Sequence, residues 1–187
     1  MIQLFHKGGE DMKAKEVAYA FVNLFKDEDE GITNLKLQKL LYYAQGFSYQ
    51  RSNEPLFDDD IEAWDKGPVV YEVYKRYQSC GNEPIRVYEN VDLTEEDERL
   101  ILDVAREYGQ YTSSKLISMT HKEGTPWDKI YVEGEMRNVI PKDIIKDYFR
   151  ESEPNLAEFD LAEMFANTEA VDLTKDGAIS LEDWVYE

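Results

Sequence analysis

One cysteine, Cys80, among 187 residues excludes an internal disulfide and any zinc site built on cysteine pairs, and it suits a reducing compartment. Histidine is nearly as scarce. His6 and His121 are the two in the chain, and because His6 falls in a leader segment, His121 is the one position for imidazole acid–base chemistry. No apolar run approaches the ~20 residues of a membrane span, and the opening MIQLFHKGGEDM lacks the apolar core of a signal peptide. The expected location is therefore cytoplasmic, with no membrane partner. Basic residues are also short, 21 Lys and Arg against 40 Asp and Glu, for a net charge of −19. Nucleic-acid affinity rests largely on Lys and Arg displacing counterions from phosphate. The densest basic pieces here are Lys75-Arg76 and Lys36 to Lys39, neither of which makes a patch, so a nucleic-acid partner is not expected. Phosphate-cradling glycine loops and a Gly-x-Ser-x-Gly nucleophile elbow are missing too.

What the chain has is helical periodicity. Val17, Phe21, Leu24 and Phe25 recur on one face of a first helix. The stretch ITNLKLQKLLYYAQGFSYQ, residues 32–50, follows with Thr33 or Asn34 as its N-cap. Within it Leu37, Leu40, Leu41, Ala44 and Phe47 form a stripe, the pattern of a core-facing helix. Pro68 after Gly67 predicts the first turn of another helix carrying Val70, Val73, Tyr74 and Tyr77 and closed at Cys80-Gly81. Ile85 to Tyr88 reads as a short strand. Thr94 caps a helix with Leu100, Ile101, Val104 and Tyr108 inward, and Thr112 or Ser113 caps one with Leu116, Ile117 and Met119. A turn at Gly124 to Trp127 and a helix bearing Ile144, Ile145, Tyr148 and Phe149 complete the pattern. The fold class is mainly α: a single compact helical domain with short strand or hairpin elements and an acidic C-terminal extension. A chain of this length buries roughly 70% of its unfolded surface, enough for one substantial core.

The boundaries follow from composition. Residues 1–12 read as a leader: Lys7-Gly8-Gly9 before Glu10-Asp11-Met12 resembles a translated ribosome-binding purine tract, which would make Met12 the natural start. Residues 13–150 form the helical domain. Residues 151–187 hold a helix from Asn155 and a turn or hairpin, with eleven acidic residues against the single Lys175, a face that suits a basic protein partner.

Candidate chemistry is thin. His121 lies in SMTHKEGTPW, where the bland reading is a helix-terminal residue packed beside Trp127. The run Asp58-Asp59-Asp60 is oxygen-rich enough for magnesium, although consecutive loop aspartates are commonly hydrated turn residues. The segment DLTKDGAISLED places Asp172, Thr174, Asp176, Ser180 and Asp183 in the order of a calcium loop. Its third position is Thr and its twelfth Asp, so a hairpin through Asp176-Gly177 is the preferred reading. Tyr42, Tyr43, Tyr49, Tyr74 and Tyr77 flank the apolar stripes, and tyrosines so placed are either core or a partner-binding margin.

Three blocks, residues 32–50, PLFDDDIEAWDKGPVVYEVYKRY (55–77) and LISMTHKEGTPW (116–127), together resemble the Panacea domain of SocA-like antitoxins and phage-associated GepA-like proteins. The resemblance runs from Lys13 to Arg150. Lys66 departs from it, standing where an aromatic residue is more usual, and the acidic extension lies beyond it. The resemblance implies an antitoxin that binds and neutralises a cognate toxin encoded by a neighbouring gene, in some members by delivering it to a host protease. It implies no cofactor and no catalytic residues. Its motif positions, Leu37, Lys39, Leu40, Leu41, Tyr42, Trp64, Gly67, Pro68, Val69, His121 and Trp127, are expected to be scaffold and possible contact surface. Two alternatives are a transcriptional regulator of its own operon, which would need a basic helix-turn-helix, and a hydrolase using His121.

Overall fold

The computed structural model describes residues 12–27, 31–135 and 137–151. Residues 1–11 of the leader and 152–187 of the acidic extension, with its calcium-like loop, lie outside them. Among the described residues, seven helices and three short strands follow in the order α1 (Ala14–Leu24), α2 (Asn34–Ser52), β1 (Glu62–Trp64), β2 (Gly67–Val69), α3 (Tyr71–Tyr77), α4 (Glu95–Tyr108), α5 (Ser113–Thr120), α6 (Pro126–Ile130), β3 (Asn138–Val139) and α7 (Lys142–Glu151), with a 3-10 turn at Gln78–Cys80 after α3. The fold is mainly α. The strands make one small antiparallel sheet in the order β2-β1-β3.

The helix starts are local events. Thr33, Thr94, Thr112 and Thr125 each accept a hydrogen bond from a backbone N–H three residues on, at Lys36, Asp97, Lys115 and Asp128, which satisfies a donor that the first turn leaves unpaired. Pro126 occupies the first turn of α6, where its missing N–H costs nothing.

The axis of the domain is α2. It packs against α1, α3, α4, α5, α7 and β2, and 13 of its 19 residues are buried. The apolar stripe is therefore only part of its contact surface. The polar residues between the stripe positions are enclosed as well, and they hold the irregular chain that follows. Gln45 Oε1 accepts from the N–H groups of Leu56 (3.0 Å) and Phe57 (3.1 Å), while its amide nitrogen donates to Phe57 O (3.0 Å). Gln38 Oε1 accepts from Val70 N–H (2.9 Å), its nitrogen donates to Asn34, and Asn34 donates to Tyr74 O. Ser48 donates to Glu54 O. Side chains of one helix thus supply backbone partners to Glu54, Leu56, Phe57, Val70 and Tyr74, which lie outside the ladder. A Gln45→Leu protein is expected to lose about 2 kcal/mol, because two N–H groups and a carbonyl stay buried with no partner; urea unfolding against wild type measures it.

Three expectations are corrected here. Pro68 does not open a helix. Gly67–Val69 is a strand paired with Glu62–Trp64, and α3 begins at Tyr71, because the residues on the other arm of the hairpin supply a partner that local sequence rules do not consider. Ile85 to Tyr88 is not a strand: Ile85 N–H donates to Ile32 O and Pro84 bridges Thr33, with no ladder beyond. Leu24 ends α1 on the solvent side, 40% exposed, because Phe21 and Phe25 take the inner face. The aspartate run is split between two structural ties, Asp59 accepting from Ala14 N–H at the start of α1 and Asp58 pairing with Lys142 of α7 (2.8 Å).

Candidate functional site

The motif residues, far apart in the chain, meet around one side chain. Lys39 lies on α2 with no exposed surface, and its Nζ donates to Pro68 O at 2.9 Å. Burial alone lowers its pKa to about 7, since no solvent offsets the charged ammonium. Two walls close this chamber. On one side, the β1–β2 hairpin turns through Asp65-Lys66, with Trp64 facing Gly67 in register. Gly67 carries φ +100°, and a Cβ there would lie 2.8 Å from Thr120 Oγ1 and 2.9 Å from Lys39 Nζ. Glycine is required twice over, by the positive φ that closes a tight hairpin and by the approach of the lysine. On the other side stands the end of α5, where Thr120 is buried and His121 is the C-cap residue.

His121 stacks on Trp127 with 3.6 Å between ring centroids and 3° between planes, and Trp127 stacks in turn on Tyr131 at 4.4 Å. Trp127 Nε1–H donates to Trp64 O (2.7 Å), and Tyr131 hydroxyl donates to Asp65 (3.0 Å). This aromatic stack clamps α5 and α6 to the hairpin. Burial, and then the nearby Lys39 ammonium, lower the His121 pKa, so the imidazole is neutral at pH 7. Its Nε2 is buried with no hydrogen-bond partner among the described residues, and Glu123 is exposed. Stacked flat on Trp127, His121 packs the end of α5 against α6.

The expected tyrosine margin is mostly inside. Tyr42 (2%), Tyr43 (7%), Tyr49 (3%) and Tyr77 (2%) are buried, and Tyr74 alone of the five is half-buried. For Tyr42, Tyr43 and Tyr49 the reason is the position of α2 at the axis, which leaves no outer edge for them to occupy; Tyr77 lies on the buried face of α3. Tyr43 stacks on Tyr108 of α4 (3.8 Å), and Tyr42 meets Phe149 of α7 edge-on (5.4 Å). Burial raises the pKa of Tyr42, Tyr43 and Tyr108. Leu37, Leu40, Leu41 and Val69 are buried as well. Among the described residues no three His, Cys, Asp or Glu side chains gather as metal ligands would.

Sequence reasoning named Asn34 only as an N-cap candidate and passed over Gln38, Asp65, Thr120 and Tyr131. For Asn34 and Gln38 a signal existed, since polar residues four apart on an apolar helix are buried staples when the helix is central. The others are placed by tertiary contacts alone.

A cleft of about 380 Å³ opens on the outer side of the hairpin. Leu35, Val69, Trp64 and Tyr74 give it apolar and aromatic walls, and Asp65, Lys66 and Glu135 stand among its lining residues. Trp64, held through Nε1 by Glu62 (2.7 Å), meets Tyr74 at 4.9 Å and 63°. Both rings are half-buried, so one part of each is fixed by the core while another faces the opening.

Comparison with known proteins matches the family model described as antitoxin SocA-like, Panacea domain, over residues 37–128. The chain is similar to "Antitoxin SocA" of Caulobacter vibrioides (strain NA1000 / CB15N), 32% identical over 159 residues, covering 71% of this chain and 82% of that protein. No solved structure matches.

Proposed function

Because the chain belongs to the SocA-like antitoxin, Panacea domain family, we propose that it is the antitoxin of a toxin–antitoxin pair and neutralises its cognate toxin by direct protein–protein binding. The observation that carries this reading is the 32% identity to an antitoxin over 82% of that protein's length. The structure supports it in a second way. The motif residues are spent on architecture: Lys39, Gly67, Pro68, His121 and Trp127 brace one another and hold a hairpin whose outer side is an open cleft. A rigidly braced surface binds with little ordering cost. The charge of −19 favours a basic toxin and speeds the encounter. Neutralisation is then occupation of the toxin's working surface.

The test is growth of cells expressing the neighbouring gene's product, with and without this chain. Wild type is expected to restore growth and to co-purify with that product. His121→Ala is expected to restore growth equally, with a thermal midpoint lowered by about 2–4 °C for the ~1 kcal/mol of lost stacking. Failure of His121→Ala with an unchanged melt would move the weight to hydrolysis. Failure of wild type to associate with the neighbouring product would end the antitoxin reading.

A further inference from the structure

The cleft beside the hairpin is shaped for one kind of visitor. We propose that it is the anchor pocket for a long cationic side chain, arginine above all, presented by a basic segment of the neutralised toxin. This inference rests on the antitoxin reading and adds to it the place and the chemistry of contact.

The walls and the charged rim call for different parts of the same side chain. Leu35 and Val69 offer apolar surface, and Trp64 and Tyr74 offer aromatic surface, against which an arginine or lysine stem packs while its head stays polar. Asp65 and Glu135 supply two carboxylates in the lining against one cation, Lys66. Asp65 already accepts from Tyr131 hydroxyl (3.0 Å) and Glu135 from Asn138 (3.1 Å), so the donor that holds each carboxylate is uncharged. Guanidinium is the cation that suits such a place, being planar, weakly hydrated and able to lie on a ring while donating to a carboxylate. The chain displays the same chemistry one ring away. Tyr71, 6.3 Å from Trp64, carries its own Arg137 at 4.2 Å. Trp64 and Tyr74 carry no such cation among the described residues. A volume of about 380 Å³ falls at the small end of binding sites, and a half-buried tryptophan beside a tyrosine in a recess is the usual setting of an interface hot spot. The net charge of −19 points to the same sign of partner.

Lys66 makes the inference directional, because it opposes the proposed visitor. The experiment uses the full chain and the purified product of the neighbouring gene, with affinity measured by titration calorimetry. Glu135→Lys is expected to weaken binding at least tenfold, Tyr74→Ala at least tenfold, and Lys66→Glu to tighten it severalfold. Glu96→Lys, an exposed charge on α4, should stay within twofold of wild type. Thermal melts taken alongside show that each variant is folded. Wild type that binds, with folded cleft variants binding like wild type or with the two charge changes acting in the opposite sense, overturns the pocket and leaves the antitoxin reading standing. A wild-type dimer in light scattering that these same variants dissolve would mean that a second copy fills the cleft, which overturns it too. No association by wild type at all removes the antitoxin reading underneath.

Discussion

Gly46→Ala is expected to destabilise the domain by roughly 2–4 kcal/mol, although local rules give the opposite sign. Alanine exceeds glycine in helix propensity by about 1 kcal/mol, and Gly46 sits well inside α2. The obstacle is α7, whose Phe149 ring lies where a Cβ on residue 46 would project. That ring cannot step aside. It is 5% exposed and is bounded by Tyr42 edge-on at 5.4 Å and by Tyr43 at 6.2 Å. Close packing transmits a misplaced methyl into shifts of whole elements, so α7 would have to leave α2. Urea unfolding measures the loss. The double change Gly46→Ala with Phe149→Ala should cost clearly less than the sum of the two single changes, because the contact that causes the clash is gone. An alanine variant as stable as wild type would mean that α7 does not lie on Gly46.

The second large effect is a dependence on pH traceable to Lys39. Its ordinary pKa of 10.5 falls to about 7 on burial in the folded chain. Between those values the unfolded chain binds a proton that the folded chain does not, so stability rises with pH, by at most about 1.4 kcal/mol per unit. Below pH 7 both states are protonated, the rise ends, and the folded state bears a buried ammonium whose hydrogen bond goes to Pro68 O. Near pH 10 the sense reverses. Tyr42, Tyr43 and Tyr108 hold their protons in the folded state beyond the usual tyrosine range, while the unfolded chain gives them up. Stability is therefore expected to climb from pH 7 to a maximum near pH 9–10 and then to fall.

Lys39→Met keeps the length of the side chain and removes the titrating group. It should abolish the climb and preserve the alkaline fall. At pH 6 it should be more stable than wild type by roughly 1–3 kcal/mol, because a buried unpaired charge is costlier than a thioether of similar volume. At pH 9 the advantage vanishes, because wild-type Lys39 is then neutral in the folded chain and keeps the bond to Pro68 O that Met cannot make. Denaturant unfolding at intervals from pH 6 to pH 10 gives both profiles. Parallel curves for the two proteins would mean that Lys39 does not titrate in this range.

These two residues also mark what could be seen in the sequence. The helix start at Thr94 was legible, and those at Thr33 and Thr112 to within one residue, because a cap is an interaction between residues three apart. The inward faces Val17-Phe21, Leu100-Val104 and Ile145-Phe149 were legible for the same reason, as helical period places neighbours along a turn. The three blocks that give the family resemblance were on the page as plain residues. What the tyrosines of α2 would do was not, because aromatic side chains carry one composition and two uses.

Sequence alone thus determined the helical class, the caps, the acid excess and the membership. Tertiary structure decided the rest. Only the convergence of α2, the hairpin and the end of α5 makes Lys39 a buried amine, turns Pro68 from a helix start into a strand residue and requires glycine at 67, and only the packing of α7 on α2 requires glycine at 46. The physical reason is range: capping and periodicity act over three or four residues, whereas burial, cavity shape and pKa depend on which side chains arrive from elsewhere in the chain.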